Sequence, residues 1–113
     1  MRRSHLLMAA AIAASAFASS ALAADGKSVF ATNCASCHGA NGQGTPGLAP
    51  GLKGNAFVTG KIDDVIATVK DGRSGDQKKY KNFPVAMPAW GKQLSEADIK
   101  AVVDYLRGDL QKK

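Results

Sequence analysis

Hydrophobic side chains follow helical spacing in the segment KIDDVIATVKDG, residues 61–72. They recur at i, i+3, i+4 and i+7, which places them on one face of an α-helix: Ile62, Val65, Ile66 and Val69. Asp63 and Asp64 lie in the first turn and Gly72 follows the last, as helix polarity and C-terminal capping favour. The pattern predicts an amphipathic helix over most of this segment.

A second amphipathic pattern occupies SEADIKAVVDYLRGDL, residues 95–110. Ser95 is followed three residues later by Asp98, a pairing that resembles a capping box. The apolar stripe of this segment comprises Ile99, Val102, Val103 and Leu106. A shorter helix is predicted over residues 25–33, with Asp25 as its N-cap. Because no alternating strand pattern of useful length and no internal repeat occur, the predicted fold class is all-α.

Glycine and proline are abundant between residues 39 and 60, so this segment is predicted to be a loop. Loops of this length are uncommon in a small domain. The segment has little capacity to build a core of its own. It is therefore either disordered or wrapped around a group that is not part of the sequence.

The first 23 residues predict a secretory signal with a basic start, an alanine-rich apolar run and small residues before a cleavage site. The run from Leu6 to Phe17 is interrupted by Ser15 and is too short to span a bilayer well, so we expect no permanent membrane anchor. The predicted organisation is a cleaved signal at residues 1–23 and a single domain at residues 24–113.

The mature chain is expected to be mildly basic. Removing two arginines with the signal leaves 13 basic and 9 acidic residues, 13 − 9 = +4. The lysines are interleaved with Asp and Gly and aromatic residues are few, so nucleic acid is not an expected partner. Attraction to an acidic protein surface is the more natural use of this charge.

Both cysteines lie in the motif Cys34-Ala35-Ser36-Cys37-His38, the C-x-x-C-H pattern of covalent c-type haem attachment. Two thiols on one turn can bond the porphyrin vinyl groups, and the next residue then supplies an axial imidazole. A thioredoxin-like redox pair would need a βαβ context. A zinc site would need another good ligand, and the only other histidine lies in the predicted signal. A disulfide across two residues would stabilise little.

Met87 is the only methionine left once the predicted signal is removed. It lies in FPVAMPAWG, between the second and third predicted helices, and Pro84 and Pro88 restrict the backbone on either side. A lone methionine is usually a core residue that fills a gap. Beside a haem, however, a His/Met pair is a known axial ligation, and Met87 is the predicted distal ligand.

With these motifs, the chain resembles class I cytochrome c in its short bacterial form over nearly all of residues 24–110. Gly26 and Phe30 match the family's N-terminal helix, and Val102 and Tyr105 match the C-terminal helix that crosses it. The resemblance implies a small cytochrome c fold, with three to five helices and long loops wrapped around one covalent haem.

The resemblance also implies a set of haem-pocket residues. Pro50 matches a proline whose carbonyl accepts a hydrogen bond from the proximal imidazole, here His38. Leu52 matches a residue that packs on the porphyrin face, and Met87 matches the distal ligand. Trp90 is either a core aromatic beneath the Met87 loop or a haem-side hydrogen-bond donor, and the two roles are compatible.

A group of mostly basic residues leads toward Met87, and most of its members are expected to be solvated. One or two of them could pair with haem propionates, although spacing alone does not say which. The group comprises Arg73, Lys78, Lys79, Tyr80 and Lys81.

An iron held by His38 and Met87 has no open position, so electron transfer is expected rather than catalysis of bond formation. The predicted protein is a monomeric, periplasmic one-electron carrier that docks briefly on acidic surfaces of redox partners. The lysines expected to steer such docking are Lys53, Lys78, Lys79, Lys81 and Lys92.

Two other functions remain open at this point. The chain could be the haem subunit of a periplasmic dehydrogenase or oxidoreductase complex, which its small size and export signal allow. It could also be a haem enzyme or gas sensor, which requires that Met87 be absent from the iron or easily displaced.

Overall fold

A computed structural model describes residues 24–75, 78 and 82–112. The predicted signal and the predicted roles of Lys79, Tyr80 and Lys81 lie outside the described residues. The described chain forms five helices: α1 (Gly26–Asn33), α2 (Ala35–His38), α3 (Ile62–Asp71), α4 (Glu96–Arg107) and α5 (Asp109–Lys112). No strand occurs among these residues, which show only two isolated β-bridges. The predicted all-α class is confirmed.

The helices α1 and α4 begin at the capping residues that the sequence predicts. The Asp25 carboxylate accepts a hydrogen bond from the Lys27 amide at 3.1 Å. At the start of α4, the Asp98 amide donates to Ser95 Oγ at 3.0 Å, and the Ser95 amide donates to the Asp98 carboxylate at 3.2 Å. Each contact satisfies a backbone donor that a helix start would otherwise leave unpaired.

Two helical features differ from the prediction. The third predicted helix is divided at Gly108, where φ is −115° and ψ is −93°, so that α5 is a separate short turn. The helix α2 was not predicted, because its four residues are too short to show a periodic apolar pattern.

The crossing of α1 and α4 forms the centre of the protein core. A Cβ atom at Gly26 would lie 2.1 Å from the Ala101 carbonyl oxygen, so only glycine permits this approach. The rings of Phe30 and Tyr105 pack with their centroids 5.5 Å apart. Val102 is fully buried at the same crossing region of α4. The helix crossing implied by the family resemblance is therefore present.

Side chains from the C-terminal end of the chain hold the loop between α2 and α3. The Arg107 guanidinium donates to the Val58 carbonyl at 3.0 Å and to the Gly60 carbonyl at 2.6 Å. Gln111 donates to the Leu52 carbonyl at 2.9 Å. These bonds join residues far apart in sequence and give the glycine-rich loop a defined path across the fold.

Candidate haem site

An apolar cavity of about 320 Å³ lies where α2, α3 and the two long loops meet. This volume is at the lower end of the roughly 300–1,000 Å³ that small-molecule sites usually enclose. The structure brings all seven predicted site residues to its wall: Cys34, Cys37, His38, Pro50, Leu52, Met87 and Trp90. They come from three separate segments of the chain, so the tertiary fold alone assembles them.

The turn α2 presents the two cysteines and the histidine to the cavity together. The His38 amide donates to the Cys34 carbonyl at 2.9 Å, which closes the turn. Cys34 and Cys37 are free thiols, the first buried and the second half-buried. Gly39, with φ of 89°, then turns the chain away in a conformation that other residues rarely adopt.

The environment of the thiols argues against a redox cysteine pair. Burial raises the pKa of Cys34 to about 11, and the nearby Cys37 adds to the increase. Reactive cysteine pairs instead have a lowered thiol pKa, because the thiolate is the nucleophile. Among the residues that the structure describes, no group of three or more His, Cys, Asp or Glu side chains could hold a metal ion by itself.

The imidazole of His38 is buried and oriented by one hydrogen bond. Its Nδ1 lies 2.9 Å from the carbonyl oxygen of Pro50, as the family resemblance implies. Since a carbonyl can only accept, Nδ1 carries the proton and Nε2 is left with a lone pair. Burial lowers the pKa of His38, while the bond to Pro50 opposes this effect. The imidazole is thus held neutral, the form that binds a metal.

The glycine-rich loop after α2 places Pro50 beside His38 through close backbone contacts. The Gly44 amide donates to the His38 carbonyl at 2.6 Å, and the Leu52 amide donates to the Gly42 carbonyl at 2.7 Å. A Cβ atom at Gly44 would lie 2.6 Å from the Gly51 nitrogen. The glycines of this loop therefore allow two backbone segments to approach at the cavity wall.

Met87 is held on the opposite loop by a backbone pair with Arg73. The Arg73 amide donates to the Met87 carbonyl at 3.0 Å, and the Met87 amide donates to the Arg73 carbonyl at 2.8 Å. A Cβ atom at Gly72 would lie 2.4 Å from the Met87 carbonyl oxygen, so glycine is required beside the pair. Sequence reasoning used Gly72 as a helix end and missed this second role.

Trp90 lies where both roles considered from the sequence remain compatible with its position. Its half-buried side chain packs against the core and also lines the cavity. Its backbone amide donates to the Val69 carbonyl at 3.0 Å, which joins the Met87 loop to the end of α3. Its position is thus compatible with a haem-pocket residue.

The chemistry of the cavity wall fits a covalently bound haem. Most of the lining surface is apolar, as a porphyrin requires, and no Asp or Glu occurs among the described lining residues. Two thiols, a neutral imidazole and a thioether all border the same space. Their types correspond to the thioether attachment and axial ligation of c-type haem.

The model of the family described as cytochrome c matches residues 23–108. The chain belongs to the cytochrome c family. The matches support a class I, monohaem c-type cytochrome with a covalent haem.

The chain is also similar to two cytochromes c6. It is 40% identical over 91 residues to cytochrome c6 of Cladophora glomerata, covering 75% of this chain and 86% of that protein. It is 38% identical over 88 residues to cytochrome c6 of Microcystis aeruginosa, covering 78% of this chain and 98% of that protein.

A longer relative is the Cbb3-type cytochrome c oxidase subunit CcoP of Azospirillum brasilense, 36% identical over 92 residues and 76% of this chain. The chain spans only 28% of that subunit's length. Among solved structures, the c-type cytochrome XoxG from Methylobacterium extorquens AM1 matches with a TM-score of 0.51 and 21% identity. That match covers 73% of this chain and 48% of XoxG, and it supports the fold alone.

Within the part of the chain that the structure describes, no helix has both the length and the apolar character needed to cross a bilayer.

Proposed function

We propose that the protein is a periplasmic one-electron carrier whose haem iron is ligated by His38 and Met87. The observation that carries this proposal is the convergence of Cys34, Cys37, His38 and Met87 on one apolar cavity. The two cysteines would attach the haem through thioether bonds. His38 would bind the iron through Nε2, since its Nδ1 is engaged by Pro50.

A covalent haem supplies a one-electron ferric/ferrous couple, and the residues around it tune that couple. A Met87 thioether favours the ferrous state, because it is a weak donor to ferric iron. The apolar wall acts in the same direction, since a low-dielectric site disfavours the extra charge of the oxidised state. His38 and Met87 are both anchored through backbone hydrogen bonds or Pro50, so their positions need change little on electron transfer.

Replacing Met87 by Ala tests the axial ligand. The variant should keep covalent haem, lower the midpoint potential and bind carbon monoxide in the reduced state at neutral pH. Asn82→Ala is the matched control, since Asn82 lies in the same loop, is exposed and does not line the cavity. An unchanged potential and an iron inert to carbon monoxide in Met87→Ala would exclude Met87 as the ligand.

We further propose that residues 1–23 are removed on export, which leaves residues 24–113 as a single cytochrome domain in the periplasm. The supporting observation is the three-part signal pattern before Ala24. Mass spectrometry of the protein purified from a periplasmic fraction should give residues 24–113 plus one haem. Recovery of the uncleaved chain from the membrane fraction would contradict this processing.

For partner recognition we propose weak docking of a monomer on acidic redox proteins. Lys53 and Lys92 are exposed among the described residues, whereas Lys79 and Lys81 lie outside them. Electrostatic steering predicts that the electron-transfer rate to the physiological partner falls as salt increases, because exposed charges are screened. A rate independent of salt would contradict steering without affecting the haem assignment.

A second candidate function is a haem-bearing electron-transfer subunit of a periplasmic oxidoreductase complex. The similarity to part of a Cbb3-type oxidase subunit favours it, because that similarity covers 76% of this chain. Affinity purification under mild conditions distinguishes the two functions. A stable, stoichiometric catalytic partner would support the subunit, whereas a monomer that exchanges electrons with separately purified enzymes would support the free carrier.

A further inference from the structure

The side chain of Arg73 is a half-buried cation on the wall of the haem cavity. A guanidinium carries five N–H donors, and the structure engages two of its nitrogens. One donates to the Gly72 carbonyl at 2.8 Å, and the other donates to Thr68 Oγ1. Both acceptors are neutral, so the positive charge itself has no counter-ion among these contacts.

No carboxylate of the described residues pairs with this cation. The two ion pairs among those residues are Lys100 with Asp104 and Lys112 with Asp109, both on the exposed surface of α4 and α5. No Asp or Glu occurs among the described lining residues of the cavity. A half-buried charge without a partner is unfavourable, so the arrangement calls for an anion supplied by the ligand.

Haem itself carries two propionate carboxylates, and an arginine fork matches the geometry of a carboxylate. Lys78 also lines the cavity, but its ammonium donates to the carbonyl oxygen of Phe83. Arg73 is held more rigidly, because its backbone amide and its backbone carbonyl are both hydrogen-bonded to Met87. The guanidinium and the distal loop therefore belong to one hydrogen-bonded unit.

We propose that the Arg73 guanidinium binds a haem propionate and thereby ties that propionate to the backbone of Met87. Arg73 is then a positioning residue with two effects. Its positive charge offsets the negative charge of the propionate. Because a negative charge near the iron stabilises the ferric state, this neutralisation disfavours that state. Its backbone holds the Met87 loop irrespective of the side chain. The charge effect rests on the bound haem, whereas the link to the distal ligand rests on the proposed ligation by Met87.

The test compares Arg73→Gln with Lys70→Gln in the haem-loaded protein. Each variant loses one positive charge near the end of α3, but Lys70 is exposed and does not line the cavity. We expect Arg73→Gln to shift the ferric/ferrous equilibrium toward ferric by about tenfold, which is about 59 mV for a one-electron couple. Lys70→Gln should shift it much less, because solvent and salt screen an exposed charge.

Resonance Raman spectroscopy gives a second readout, the bending mode of the propionates. This mode should move in Arg73→Gln and stay unchanged in Lys70→Gln. Equal potentials in the two variants together with an unmoved propionate mode would overturn the proposal. If Arg73→Gln fails to load haem, Arg73→Lys is measured instead, since it keeps the positive charge but loses the paired N–H donors of the guanidinium. An unmoved propionate mode in Arg73→Lys would then overturn the proposal.

The absorption band of thioether-ligated ferric haem separates this inference from the proposed function. If the unmodified protein lacks the band, ligation by Met87 fails, while a moved propionate mode in Arg73→Gln would still support the propionate contact. If the band is present and Arg73→Gln behaves like Lys70→Gln, only the role of Arg73 fails.

Discussion

The crossing of α1 and α4 and the wall of the haem cavity are built on different principles. At the crossing, Gly26, Phe30 and Tyr105 pack directly on one another, and the neighbouring Val102 has no exposed surface. The cavity wall instead consists largely of two loops, which are held by backbone hydrogen bonds and by side chains from α4 and α5. The crossing is filled by protein atoms, whereas the wall surrounds the space proposed for the haem.

This difference separates residues that stabilise the fold from residues that influence the redox potential. Changes at the helix crossing should lower the free energy of unfolding without changing the redox potential, because the residues of the crossing do not line the cavity. Changes at the wall should alter the potential or the mobility of a loop. Small domains bury a modest share of their surface and often need a cofactor or cross-link as additional support. Four variants test this division, and their effects should decrease in the order given.

Replacing both cysteines, Cys34→Ser with Cys37→Ser, should have the largest effect. Without covalent haem the cavity loses its contents, and the chain should be largely unfolded because haem supplies much of the core. Absorbance after denaturation measures covalent haem, and far-ultraviolet circular dichroism measures the remaining helix. A double variant with the helical signal and cooperative melting of the unmodified protein would contradict the dependence of the fold on haem.

Gly26→Ala should destabilise the helix crossing by about 2 kcal/mol, because overpacking a filled contact typically costs about 1–3 kcal/mol. The added methyl would lie 2.1 Å from the Ala101 carbonyl oxygen, so one helix must move. Chemical denaturation gives the change in stability, and spectroelectrochemistry should show an unchanged potential.

Gly108→Ala is the matched control for that substitution. Its φ is negative, and an added Cβ would lie 3.2 Å from the Asp104 carbonyl oxygen, a much milder contact. If Gly26→Ala were as stable as Gly108→Ala, the close helix approach would not be a determinant of stability.

Gln111→Ala should release the loop around Leu52, with a loss of about 1–2 kcal/mol from the broken hydrogen bonds. The Gln111 amide donates to the Leu52 carbonyl at 2.9 Å and to the Leu106 carbonyl at 2.8 Å, and its oxygen accepts from the Gly54 amide at 2.7 Å. Hydrogen exchange should accelerate at Gly54. Lys112→Ala is the control, since Lys112 is exposed on the same short helix. Equal exchange at Gly54 in both variants would exclude Gln111 as the tether.

Ser95→Ala should have the smallest effect, about 1 kcal/mol, which is typical for loss of an N-cap side chain. The variant loses the acceptor for the Asp98 amide but keeps the haem site intact. Its midpoint potential should therefore match that of the unmodified protein. Ser74→Ala serves as the control, because Ser74 is exposed and lies outside the helices. A shifted potential in Ser95→Ala would show that the helix frame and the site are coupled.

Local sequence patterns predicted much of the helical frame because they depend on neighbouring residues. The apolar stripe of residues 62–69 and the capping box at Ser95 both lie within a few turns of chain, where spacing determines which face is buried. The same reasoning did not detect α2, which is too short to show a period. It also extended the last predicted helix through Gly108, where α4 ends.

The chemistry of the candidate site could be predicted for a similar reason, since C-x-x-C-H places its three reactive groups within one turn. The contacts made by other segments around the cavity could not be predicted in this way. The contacts of Arg107 and Gln111 with the loop span 47–59 residues of sequence. The requirement for glycine at position 72 arises from the approach of the Met87 carbonyl, a contact that no local pattern records.

Residue type and short spacing were thus sufficient to predict the helix stripes, their caps and the groups proposed to hold the haem. The folded chain was needed to show that Pro50 meets the imidazole of His38, that Met87 is paired with Arg73, and that both pairs lie at one cavity. The physical reason is that loop paths are set by hydrogen bonds and packing between distant segments, which form only when the helices have crossed.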